Sequence, residues 1–61
     1  MANLTTKELN AISELLESET VLIKKSRHCA EKTTDPALKS LYEKAAKRHM
    51  DHYSKIRGLL G

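Results

Sequence analysis

Glu19, His49 and His52 are the residues whose types and spacing offer chemistry. At about 100° per residue, Glu19 falls near the middle of a helical apolar sector, among Ile12, Leu16, Leu22 and Ile23. His49 and His52 are three residues apart, so their rings project from one face of a second helix, inside its own apolar sector. A carboxylate in such a place must be paired, hydrogen-bonded or neutralised, because a bare buried charge is expensive. If the chain folds back at residues 34 and 35, the position level with residue 19 is about 50, and the three side chains share one layer. Two kinds of chemistry then compete. In the first, Glu19 accepts hydrogen bonds from the histidines, and the polar layer fixes register and partner choice at some cost in stability. In the second, the same side chains bind a metal. Imidazole with carboxylate suits zinc, iron, manganese or copper, and a symmetric dimer would bring up to two carboxylates and four imidazoles together.

The elements that must position this layer are two helices. Thr5 is an N-cap, and Glu8 three residues later completes a capping box, with Leu4 and Leu9 at the spacing of a hydrophobic staple. No strong breaker follows until Thr33-Thr34-Asp35-Pro36, where Asp35 caps a second helix and Pro36 occupies its first turn. The reading is a helix over about 5–33, a turn over 33–36 and a helix over about 36–57, with Gly58 as a stop and Gly61 as the alternative. On the first helix Leu9, Ile12, Leu15, Leu16, Leu22, Ile23, Cys29 and Ala30 fill a sector roughly 160° wide. On the second, Leu38, Leu41, Tyr42, Ala45, Ala46, Tyr53, Ile56, Leu59 and Leu60 fill about 140°. Two helices packed only on each other cover a narrower seam than this. The wide stripes predict an all-α antiparallel hairpin that dimerises into a four-helix bundle.

Size and composition agree. The chain has 61 residues, one small domain at most, and such domains seldom bury enough apolar surface without a staple or a partner. A lone cysteine, Cys29, excludes an intramolecular disulfide, fits a reducing compartment and is expected to act as a small apolar residue. The net charge of +3 is carried by interspersed residues, which favours a solvated surface over nucleic-acid binding. No apolar run approaches the length of a membrane span, and the N-terminus lacks a signal-peptide core, so an intracellular location is expected. His28 falls off the centre of the first stripe and is not expected to be a ligand. Tyr42 and Tyr53 are expected to line the edges of the core with their hydroxyls toward water. There is no nucleophile–base pair at useful spacing and no glycine-rich phosphate loop, so no reaction is expected.

The opening Leu4-Thr5-Thr6-Lys7-Glu8-Leu9, the stretch Glu19-Thr20-Val21-Leu22-Ile23-Lys24-Lys25, and Asp35-Pro36-Ala37-Leu38-Lys39 through His49-Met50-Asp51-His52-Tyr53 together resemble the spore coat protein F family. That family is similar in turn to ferritin-like and rubrerythrin-like four-helix bundles. The resemblance implies a bundle completed by two half-length chains, a non-catalytic structural or interaction role, a cytoplasmic or spore-associated location, and other coat-type helical proteins as further partners. It also implies a comparison with ferritin-like dimetal sites, in which two helices each give a Glu and two each give a Glu-x-x-His pair. Glu19 stands where the single Glu belongs and His52 where the motif's His belongs, but His49 replaces the motif's Glu. Loss of the bridging carboxylates argues against oxygen chemistry at a dimetal centre. A mononuclear zinc, iron or manganese site, or a hydrogen-bonded layer with no cofactor, remains.

Overall fold

The protein, described from Asn3 to Gly61 in a computed structural model, is two antiparallel helices joined by a three-residue turn. Helix α1 spans Thr6–Lys32 and α2 spans Pro36–Gly58. The start of α1 is set by reciprocal hydrogen bonds. The Thr5 hydroxyl accepts from the Glu8 amide at 3.0 Å, and the Glu8 carboxylate accepts from the Thr5 amide at 3.0 Å. The Thr5 amide, and then the Thr5 hydroxyl, hold the Glu8 carboxyl below its ordinary value. Its share of the cap is therefore fully present above the ordinary carboxylate range and is lost as pH falls through the lowered value. Thr5→Ala removes the side-chain acceptor and is expected to lower stability by about 1 kcal/mol, read from chemical denaturation curves.

The turn is built from side-chain oxygens and needs no glycine. Thr33 ends α1 in an extended conformation, its amide bonded to the Cys29 carbonyl at 3.0 Å. Its hydroxyl accepts from the Asp35 amide at 3.2 Å. Asp35 Oδ1 accepts from the amides of Ala37 and Leu38, at 2.8 and 3.3 Å, and Pro36 opens α2 where no amide donor is needed.

Thr5 caps α1, as its spacing with Glu8 predicts, and Thr33 closes it, within one residue of the helix expected over about 5–33. Gly58 is the last residue of α2, one beyond the expected end at about 57, rather than its stop. Leu59 stays in right-handed helical conformation, and the amides of Leu59 and Leu60 turn to the carbonyls three residues back, at 3.0 Å each. That tightening satisfies the terminal carbonyls without a left-handed residue. Among the described residues a positive φ, 100°, appears only at Gly61.

The seam between the helices is narrow. Ile12, Leu16, Glu19, Ile23, Ser26 and Ala30 of α1 are buried or half-buried, as are Tyr42, Ala45, Ala46, His49, Tyr53 and Ile56 of α2. The steps of three and four along the first list, and along the second apart from the adjacent Ala45 and Ala46, are those of coiled-coil-like packing. Among the described residues only Ile12, Ala30 and Ala46 are buried outright, and no large side chain is fully enclosed. Leu15, Leu22, Leu41 and Leu59 are 49, 39, 60 and 55% exposed. The hairpin uses one half of each wide apolar stripe and leaves the other half open. Among the described residues, no helix is long and apolar enough to cross a membrane.

Candidate functional site

Glu19 lies at the middle of α1, and the hairpin brings it level with His49 on α2. The imidazole donates through its Nδ1–H to Glu19 Oε1 at 2.7 Å. His52, one turn farther along α2, places its Nδ1 at 3.7 Å from the same oxygen. The two rings meet edge to face, with centroids 5.7 Å apart and planes at 81°. Exposure rises outward through the set, from 15% for the Glu19 side chain to 22% for His49 and 45% for His52. The layer therefore runs from the seam between the helices out to one face of the hairpin.

All three residues picked from the sequence come together, each offering a ligand atom within 4.8 Å of the others. No other group of three such side chains converges among the described residues. His28 is exposed and remote from the set, while Cys29 is half-buried and free. Tyr42 and Tyr53 are half-buried at the edges of the seam. No buried side-chain nitrogen or oxygen among the described residues lacks a hydrogen-bond partner.

The geometry distinguishes what the set can hold. The Glu19–His49 separation is that of a charge-assisted hydrogen bond. Ligands on one tetrahedral zinc at about 2.1 Å stand about 3.4 Å apart, so a metal would take the place of the shared proton and push this pair slightly outward. His52 already stands at close to that spacing. One carboxylate and two imidazoles fit a single ion with an open position. With Glu19 as their one carboxylate, they offer no second carboxylate to bridge a pair of metal ions.

Sequence reasoning did not anticipate the opposite face. There Arg27 Nη2 approaches Met50 Sδ at 3.1 Å, over an open groove of about 540 Å³ bordered by Glu31, Lys39, Glu43 and Lys47. Arg27 lies outside the apolar stripe, so periodicity gave no signal for that contact. Comparison with family models, with curated proteins and with solved structures returns no match. What the chain does has to be argued from its own geometry.

Proposed function

We propose that the protein is a non-catalytic structural or interaction module, one half of a homodimeric four-helix bundle, in keeping with its resemblance to spore coat protein F. The observation that carries this reading is the line of open leucines, Leu15, Leu22, Leu41 and Leu59, beside a seam that buries a single large side chain, Ile12. A chain of this length gains little from such a seam, and exposed leucines gathered on one face mark an association surface. In this reading the Glu19–His49–His52 layer sets register, because any slip along the helices breaks the 2.7 Å bond. The test is the thermal midpoint as a function of protein concentration. A midpoint that climbs with concentration is expected for a dimer whose folding and association are linked. A midpoint independent of concentration would contradict it.

A second reading, a ferritin-like metal-binding protein, is favoured by the convergence of Glu19, His49 and His52. A single zinc, iron or manganese ion held there would tie α1 to α2 at mid-length. This chain's residues would bind the ion and orient it, with Glu19 supplying the charge and the imidazoles the remaining donors. The two readings are compatible in space, since the layer opens onto the same face as the leucines.

A further inference from the structure

We propose that the apolar face takes a second copy of the chain with α1 packed on the partner copy's α2 and the two-fold axis parallel to the helices, so that both turns lie at one end of the bundle. This rests on the homodimer reading above and adds the arrangement of the copies. The face itself follows from spacing. Ala11, Leu15, Ser18, Leu22 and Cys29 form a second seam on α1, in steps of four, three, four and seven, next to the one the hairpin already uses. On α2, Leu41, Arg48, His52, Lys55 and Leu59 run along the same side. Ala11 and Leu59 line one surface depression near the open end, which places the two stripes on a common face. The opposite face is ringed by Arg27, Glu31, Lys39, Glu43 and Lys47 and is suited to water.

A two-fold axis can join two such faces in two ways. The Glu19–His49 bond sets which residues are level, at about 1.5 Å per residue along each helix. If the axis ran across the helices at mid-length, where the two faces overlap in full, each helix would pack on its own copy. Arg48 would then meet the second copy's Arg48 within about 3 Å of the same level, and Lys44 would meet Lys55 at both ends. Only Glu14 against Lys25 would offset this, leaving an excess of like-charge contacts. With the axis along the helices, Arg48 lies between the levels of Ser18 and Leu22, and Lys55 comes level with Glu14. Lys25 against Lys44 is the one like-charge contact in each half, and the Glu14–Lys55 pair offsets it.

Side-chain size favours the same choice. Leu41 lies within about 3 Å of the level of Cys29, and Leu59 within about 3 Å of the level of Ala11. Packing α1 on the second copy's α2 sets large side chains against small ones at both ends, whereas the crossed arrangement sets leucine on leucine and leaves small on small. In the favoured arrangement the two His52 rings reach the axis at one level, and the partner copy seals both polar layers.

Nitroxide labels on the Cys29→Ser/Thr34→Cys variant test this, because Thr34 is exposed in the turn and outside the face. Dipolar spectroscopy on the full chain, with the mass of the same sample measured by light scattering, is expected to give a label separation below about 30 Å, since neighbouring helix axes lie 8–10 Å apart. The crossed arrangement puts the turns at opposite ends of a rod 47 Å long and gives a separation above about 40 Å. The longer separation, or no coupling in a sample of dimer mass, overturns the arrangement and leaves the homodimer standing. A monomeric sample overturns both.

Discussion

Leu22→Lys is expected to leave the protein monomeric. Leu22 is 39% exposed in the single hairpin, and the aliphatic stem of a lysine can keep the contacts made there. In the proposed dimer the remaining surface is enclosed twice, once from each copy. Burying a whole leucine contributes roughly 1.5–3 kcal/mol, and about two fifths of that is left to gain at each Leu22, so the pair contributes about 1–2.5 kcal/mol to association, and the buried ammonium adds a penalty. Each 1.4 kcal/mol is tenfold in affinity, which makes the expected weakening at least about tenfold. Val21→Lys is the matched control. Val21 is more exposed than its neighbour, at 55%, but lies off the apolar face at about 100° from Leu22. Its exchange should leave the dimer intact. Equal effects of the two substitutions on mass would contradict the assignment of the face.

The second large effect concerns the polar layer. Zinc at a hundred times its dissociation constant stabilises a protein by about 2.7 kcal/mol. In a chain this short each kcal/mol moves the thermal midpoint by roughly 4–8 °C, so an ion held by Glu19, His49 and His52 should raise the midpoint by more than about 10 °C. His49→Ala should abolish the rise, while His28→Ala, at an exposed site away from the layer, should preserve it. Acidification should also abolish it, because imidazoles bind metal only in the neutral form. Without metal, His49→Ala leaves the Glu19 carboxylate, 15% exposed, without its 2.7 Å partner, which is expected to cost about 1–3 kcal/mol. The experiment needs protein without a histidine tag. A midpoint indifferent to zinc, with His49→Ala still destabilising, would remove the metal reading and leave the layer structural.

Much of this was legible in the sequence because it depends on local chemistry. Thr5 with Glu8, and Asp35 with Ala37 and Leu38, are bonds between residues two or three apart, and they start both helices where the spacing placed them. The meeting of Glu19 with His49 and His52 was also legible, since a short turn between two straight helices leaves little freedom of level. Less legible was the way each wide stripe divides. Leu15 and Leu16 are neighbours in sequence and both belong to the stripe, yet Leu16 enters the seam while Leu15 stays 49% exposed. That choice depends on how α1 is rotated against α2, which the seam decides collectively through Ile12, Ala30 and Ala46. The end of α2, expected at about 57 with Gly58 or Gly61 as the stop, lies one residue on for a different reason. Gly58 permits a left-handed stop but does not compel one, and the bonds from Leu59 and Leu60 carry the chain past it.

The central claim is that one chain is half of the folded unit. Sedimentation equilibrium of the unlabelled, tag-free protein at micromolar concentration tests it most directly. A single species at twice 6.9 kDa is the expected result. A well-folded, monodisperse species at 6.9 kDa would contradict it.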